Sequence, residues 1–232
     1  MKKHIIHFVW AVPLLTALCI ESSTVIAHDK QLNVISTQRI PVVKHITEQD
    51  SSGNIQKLLA HYEQTAAHLK KSVAGLTDEQ LNFSPTEDQW SINQCVEHIV
   101  LSEPMIFGMF KQETSKSDSS KTSQKPSYTD EEIVNSITNR SEKYQAPEIL
   151  KPTGKYKNMS EALVAFENGR KEIINYIKNA DINALRNHIS QGPAGPVDGY
   201  QNLLFITTHS DRHILQIEEI KAHPNFPKGK LK

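Results

Sequence analysis

The most regular pattern of apolar and polar positions lies in residues 203–221. Steps of three and four residues place the apolar side chains on one face of a helix, which predicts that this face packs in the core. His213 shares the face and His209 lies at its margin, so the two rings stand one above the other, close enough to share a metal ion. The apolar members of the face are Leu203, Ile206, Ile214, Ile217 and Ile220.

Three earlier segments repeat this spacing and predict three more long helices. Gly75 is a stop signal after the first of them, and Ser91 and Ser160 are N-cap candidates for the next two. The last helix is predicted to start near Gly199 or Tyr200. The four long helices are expected over residues 53–74, 91–112, 160–178 and 199–221.

The segments between the long helices lack the alternating pattern of a strand series. The polar stretch 114–127 is typical of a mobile surface loop. Thr129 and Glu132 have the spacing of a capping box, which predicts a short helix over residues 130–143. Residues 179–200 are expected to form a connection with two glycine-proline steps, at Gly192 and Gly195. The whole pattern favours an all-α, up-down four-helix bundle with an extra short helix.

Residues 1–27 have the parts of a secretory signal peptide. A positively charged start precedes an apolar run over residues 5–20, and Ala27 ends a cleavage site of small residues. The run is shorter than the ~20 apolar residues that a membrane span needs. We therefore expect cleavage, no stable membrane span afterwards, and export to a periplasm or the extracellular space. Residues 28–52 then form a linker or arm, and residues 53–228 form the bundle domain.

Charge and cysteine content narrow the function classes. The 232 residues contain 26 basic and 26 acidic side chains, a balance that argues against nucleic acid as a partner. Removal of residues 1–27 leaves Cys95 as the remaining cysteine, so no intramolecular disulfide can form. Cys95 lies on an apolar helix face and is interpreted as a core residue rather than a nucleophile.

A metal site needs a third ligand, because two histidines at this spacing are also common as hydrogen-bonded core residues. His98 lies at the edge of the apolar face of the helix over 91–112, much as His209 does on the last helix. Packing the two apolar faces together can therefore bring His98 to the pair. His61 and His68 flank the apolar face of the first helix and are interpreted as surface or boundary residues.

Three segments of the chain form a specific combination of motifs. They are FSPTEDQWSINQCVEHI at 83–99, GYQNLLFITTHSDRHILQIEEIK at 199–221 and PNFP at 224–227. Together they resemble the DinB-like superfamily of four-helix bundles, which includes the YfiT-type proteins, over about residues 54–227. The resemblance implies the bundle fold and a metal-binding triad with one histidine on the second long helix and a pair on the last. In this chain the triad is His98, His209 and His213.

Three neutral imidazoles bind a divalent ion well and leave a position open for water or substrate, as in a catalytic site. The ion, which we expect to be Zn, Ni, Fe or Mn, keeps its positive charge and lowers the pKa of a bound water towards ~7. Gln216, Glu97 and Glu103 either orient the rings or are solvated. Arg212 is expected to form a surface ion pair or bind an anionic substrate group, and Trp90 to anchor its loop in the core.

The favoured function is a metal-dependent hydrolase that acts on an unidentified small molecule through a metal-bound water. The resemblance also implies a metal-dependent thiol S-transferase as an alternative, although export argues against it because small thiols are cytosolic reductants. A non-catalytic bundle that binds a metal or ligand is the other alternative. His209 and His213 enclose no glutamate, so the His-Glu-x-x-His base of metalloproteases is absent. A homodimer is left open.

Overall fold

Helices make up most of the described chain. The computed structural model describes residues 48–116, 124–192 and 195–228. Within these ranges it contains seven α-helices, one 3-10 turn and one antiparallel hairpin. None of these helices combines the length and the hydropathy that a membrane span requires. In chain order the elements are α1 (Glu48–Val73), α2 (Asp78–Asn82), α3 (Ile92–Lys116), α4 (Asp130–Thr138), α5 (Met159–Lys178), α6 (Ile182–Asn187), β1 (Ile189–Gly192), β2 (Gly195–Asp198) and α7 (Gly199–Lys221).

The predictions for the N-terminal part lie mostly outside the described residues. This holds for the signal peptide over residues 1–27 and for most of the arm over residues 28–52. Helix α1 starts at Glu48, so the predicted start at residue 53 was late. The sequence from Glu48 to Gly53 is polar throughout and carries no apolar repeat that could have marked this turn.

Short capping sequences set the starts of the helices. The Thr129 side chain accepts a hydrogen bond from the backbone N–H of Glu132, and the Glu132 carboxylate accepts one from the backbone N–H of Thr129. The predicted capping box of α4 is therefore confirmed. The predicted cap of α5 is wrong, because α5 starts behind Asn158 rather than Ser160. The Asn158 side chain accepts from a first-turn N–H and so occupies the cap position itself.

Two apolar clusters fill the space between the four long helices. One joins the C-terminal halves of α1 and α7 to the N-terminal halves of α3 and α5, and the other joins the opposite halves. It follows that α1 and α7 are parallel, and that α3 and α5 are parallel to each other and opposite to that pair. The predicted up-down order is wrong here, since α3 and α5 succeed each other in the same direction. Representative members are Leu69, Val96, Phe166 and Ile217 in the first cluster and Tyr62, Phe107, Ile173 and Leu203 in the second.

A long connection between α3 and α5 makes their parallel order possible, because the chain must return to the end from which α3 started. This connection contains α4, which ends at Thr138 and not at the predicted residue 143. It continues in residues 139–158, which we call the strap. The regular structure of the strap is a 3-10 turn at Glu148–Leu150, and this turn packs against α3.

The connection between α5 and α7 contains regular structure that the sequence did not reveal. Residues 179–200 hold the short helix α6 and the β1–β2 hairpin, in which Gly192 lies opposite Gly195. Gly195 has a φ of +139°, which glycine adopts far more readily than other residues. The two strands are short and show no apolar alternation, so periodicity could not reveal them. Asp198 then caps α7, which starts at Gly199 as predicted.

Candidate metal centre

Three histidine rings meet where α3 packs against α7. The Nε2 atom of His209 lies 3.4 Å from Nε2 of His98 and 3.2 Å from Nε2 of His213. Ligand atoms of the three residues all lie within 4.8 Å of one another. The pairing of the two apolar helix faces thus brings His98 to the i, i+4 pair, as the spacing predicts.

The outer nitrogen of each ring has a partner that sets the tautomer of the ring. His98 Nδ1 lies 2.8 Å from the carbonyl oxygen of Leu150, which can only accept, so Nδ1 carries the proton. His213 Nδ1 lies 3.1 Å from Gln216 Oε1, which is also an acceptor. His209 Nδ1 lies 3.4 Å from the hydroxyl oxygen of Ser102.

The Ser102 hydroxyl donates to the carbonyl of Ile99 at 3.2 Å, which leaves its oxygen lone pairs for His209 Nδ1–H. With this assignment all three rings carry their proton on Nδ1 and a lone pair on Nε2. The Nε2 atoms of His98 and His213 then both face Nε2 of His209. Neutral acceptors that face one another in this way have no proton to share, and a cation is the group that satisfies them together.

The donor set fits a divalent ion by its dimensions as well as by its chemistry. Two nitrogens at the usual zinc distance of about 2.1 Å and a tetrahedral angle are about 3.4 Å apart. The observed separations of 3.4 and 3.2 Å agree with this value. Three histidine ligands also leave a coordination position for a further group, as in catalytic zinc sites.

Burial keeps the rings neutral. It lowers the pKa of His98, against the effect of the hydrogen bond to Leu150. Burial, with smaller effects of His98 and Arg212, lowers the pKa of His209 to about 3. The pKa of His213 lies well below its ordinary value, again mainly through burial. A neutral imidazole is the form that binds a metal, so these shifts remove the competition from protons near neutral pH.

Comparison with known proteins identifies the family of this chain. The family model of the DinB superfamily matches residues 61–217, which include all three histidines. The chain belongs to the DinB superfamily. This confirms the resemblance drawn from the motifs.

A relative of this DinB-superfamily chain is "Uncharacterized protein YuaE" of Bacillus subtilis (strain 168). The two are 26% identical over 156 residues, which cover 63% of this chain and 86% of the relative. No solved structure matches the chain.

Two aromatic side chains pack on the triad of this DinB-superfamily chain. The ring of Trp90 lies 4.8 Å from that of His98 and 6.0 Å from that of His213, between centroids. The Phe205 ring is nearly parallel to that of His209 at 5.9 Å. Trp90 packs against the first apolar cluster, as predicted for a core anchor, and its half-buried ring also borders the site.

Three residues at the site were missed from the sequence. Phe205 and Ser102 lie one helical turn from His209 and His98, so the i, i+4 rule could have found them. Leu150 acts through its backbone carbonyl, which any residue carries, and no sequence signal marks it.

The predicted ring-orienting groups have different outcomes. Gln216 contacts His213, so of its two expected roles the orienting one agrees with the structure. Glu97 and Glu103 are buried rather than solvated, and their carboxylates bind groups other than the rings. The carboxylate of Glu97 binds the strap at residues 153–155, and that of Glu103 binds Arg170.

The contacts of Arg212 match neither of its predicted roles, a surface ion pair or the binding of an anionic substrate group. It is buried and donates to the backbone carbonyls of Ile137 and Asn139, at 2.8 and 2.5 Å, and to that of Glu142. Its guanidinium also lies over the Tyr144 ring. Arg212 therefore fastens the end of α4 and the start of the strap to α7.

The remaining candidates lie away from the triad. His68 is exposed, and His61 is half-buried with its Nε2 2.5 Å from Asp211 on the face of α7 that meets α1. Both agree with the boundary positions predicted for them. Cys95 is fully buried, and burial raises the pKa of its thiol to about 12. This environment suits a core residue and not a nucleophile.

Proposed function

We propose that this DinB-superfamily chain binds one divalent metal ion through the Nε2 atoms of His98, His209 and His213. The observation that carries the proposal is the convergence of three Nε2 lone pairs whose rings are held neutral and protonated on Nδ1. Without a cation these acceptors face one another unsatisfied, which is costly for buried polar atoms.

We propose further that the site serves a metal-dependent hydrolase. A divalent ion with three neutral ligands supplies Lewis acidity towards an oxygen of water or substrate. The chain contributes the surroundings: Leu150, Ser102 and Gln216 hold the rings through uncharged atoms, so no carboxylate in these contacts weakens the positive charge of the site. Trp90 and Phe205 shield the rings with apolar surface.

Metal content tests the binding proposal. The full chain and its His98→Ala, His209→Ala and His213→Ala variants are equilibrated with mixed Zn²⁺, Ni²⁺, Mn²⁺ and Fe²⁺ and measured by elemental mass spectrometry. We expect about one ion per wild-type chain and little in the three variants, since two imidazoles hold an ion far more weakly than three. The control is His68→Ala, which removes an exposed histidine of α1 and should leave the ion in place.

A wild-type chain that stays free of all four metals contradicts the binding proposal. With the ion bound, a panel of ester, amide and phosphoester substrates tests hydrolysis, and His209→Ala should abolish any turnover. Turnover of electrophiles that depends on an added thiol supports the transferase alternative instead. A loaded protein inactive in both assays leaves the non-catalytic binding bundle.

A further inference from the structure

Glu97 precedes the metal-ligand candidate His98 in α3, yet its side chain faces the strap. The residue is 5% exposed. Its Oε1 atom accepts hydrogen bonds from the backbone N–H groups of Thr153 and Lys155, at 2.8 and 3.2 Å, and from the Thr153 hydroxyl at 3.2 Å. Oε2 accepts from the N–H of Gly154 at 2.9 Å. One carboxylate thus satisfies three consecutive backbone donors.

Three successive N–H groups that point at one anion form a backbone nest. The nest here depends on Gly154, whose φ of +77° is in the left-handed region. A Cβ at this position would meet no atom within 4 Å. An alanine at residue 154 would therefore disturb the backbone conformation of the nest without a steric clash.

The same strap also holds His98. The Leu150 carbonyl accepts from His98 Nδ1 at 2.8 Å, and the Leu150 side chain is buried. Leu150 and the nest are separated by two residues, and their partners are adjacent on α3. Displacement of the nest would move the Leu150 carbonyl away from the imidazole, and His98 would lose the contact that keeps its proton on Nδ1.

We propose that Glu97 is a positioning residue for the metal site. Its carboxylate anchors the strap, the strap places the Leu150 carbonyl on His98 Nδ1, and this contact leaves the His98 Nε2 lone pair facing His209 and His213. The proposal rests on the proposed metal function for its consequence, but the control of the tautomer is a property of the metal-free protein.

Two variants weaken the contact between Glu97 and the strap in different ways. Glu97→Ala removes the anion from the nest, and Gly154→Ala strains the nest while Glu97 stays. Glu97→Gln is a milder third variant, because an amide oxygen can still accept the bonds made to Oε1 while its NH₂ group opposes the N–H of Gly154. The matched control is Glu161→Gln, which changes an exposed carboxylate that accepts from the backbone N–H of Lys157 at the far end of the strap.

Two readouts separate positioning from simple stability. Ring ¹⁵N chemical shifts of His98 in the metal-free full chain report its tautomer. Competition with a chelator reports Zn²⁺ affinity. We expect Glu97→Ala and Gly154→Ala to populate the Nε2–H tautomer and to weaken Zn²⁺ binding by about 10- to 100-fold, as for groups that orient metal ligands. Glu97→Gln should lie between them and wild type, and Glu161→Gln should match wild type.

The proposal is overturned if folded Gly154→Ala and Glu97→Ala both keep His98 protonated on Nδ1 with wild-type Zn²⁺ affinity. If Glu97→Ala does not fold, Gly154→Ala and Glu97→Gln decide by the same readouts. If the wild-type chain binds no Zn²⁺, the tautomer measurement still decides the role of Glu97, while the metal function fails by itself.

Discussion

Two polar clusters interrupt the apolar core on the same two helices, and their chemistry differs. The triad has His98 on α3 and His209 and His213 on α7. The second cluster has Glu103 on α3, five residues after His98, and Ser210 on α7, directly after His209, and it adds Arg170 of α5.

The second cluster is complete within the protein. The Glu103 carboxylate accepts from Arg170 Nε and Nη2, the latter at 2.6 Å, and from the Ser210 hydroxyl at 2.5 Å. Arg170 Nη1 donates to the carbonyl of Tyr62, and the guanidinium lies over the rings of Tyr62 and Phe166. The three guanidinium nitrogens and the Ser210 hydroxyl each have an acceptor, and the charge of Glu103 meets its opposite in Arg170.

The triad instead presents three acceptors to one another. The comparison teaches that a buried polar cluster is structural when its donors and acceptors balance, and is a candidate binding site when they do not. Three measurements test this distinction, from the largest expected effect to the smallest.

Arg170→Ala should give the largest loss of stability. It leaves the buried Glu103 charge without its partner, which costs about 3–5 kcal/mol of the free energy of unfolding. Urea denaturation measures the loss, and the folded fraction should keep its ion. Lys70→Ala, which removes an exposed pair with Glu167, is the control and should barely move the midpoint. A wild-type midpoint for Arg170→Ala, or a folded variant without metal, contradicts the separation of the two clusters.

Gln216→Met should have the opposite effect, a loss of metal affinity with little loss of stability. It removes the acceptor for His213 Nδ1–H but keeps a side chain of similar length, so the tautomer is no longer fixed. We expect Zn²⁺ affinity to fall about tenfold with little change in urea midpoint. Chelator competition measures the affinity, and Gln64→Met on the exposed face of α1 is the matched control. Unchanged affinity would show that the Gln216 contact does not support the site.

Acid should destabilise the metal-free protein through the triad. The pKa of His209 is about 3 in the folded state, below the ordinary value of 6.5 in the unfolded chain. The unfolded chain therefore takes up protons first as the pH falls. The stability contribution is complete above pH 6.5 and declines from there towards pH 3. A ring that stays neutral in the folded state lowers the free energy of unfolding by about 1 kcal/mol as the pH falls from 7 to 5.5.

Thermal unfolding of the chelator-treated full chain across this range measures the effect. His209→Ala should have a shallower pH profile than wild type, because it removes one of the shifted groups. Equal slopes for the two proteins would mean that His209 is not held neutral by burial.

The long helices and the pair of His209 and His213 could be predicted from helical periodicity, and the resemblance to the family added His98. The apolar face of α7 is buried as expected, and the packing of α3 on α7 brings His98 to the pair. The direction of α5 relative to α3 could not be predicted in the same way. The periodicity of a helix is the same in either direction. The direction depends on the connection between the two helices, and the strap within that connection has no regular pattern.

The roles of the charged residues were also beyond the sequence. Glu97, Glu103 and Arg212 looked like solvated side chains, because long charged residues are seldom buried. Each is buried against partners far away in the chain, and for Glu97 and Arg212 these partners are backbone groups of the strap or of the end of α4. Backbone N–H and C=O groups occur at almost every residue, so sequence cannot single them out.

The spacing of the triad along the chain has a consequence for biosynthesis. His98 and His209 are separated by 111 residues, so His98 leaves the ribosome well before the other two ligands exist. A chain that lacks α7 does not hold all three histidines, and an ion can bind all three together only after α7 has packed against α3. The protein would thus take its metal from the compartment in which it completes folding. If the chain is exported before it folds, the metal supply outside the cytoplasm, rather than inside it, determines which ion the site acquires.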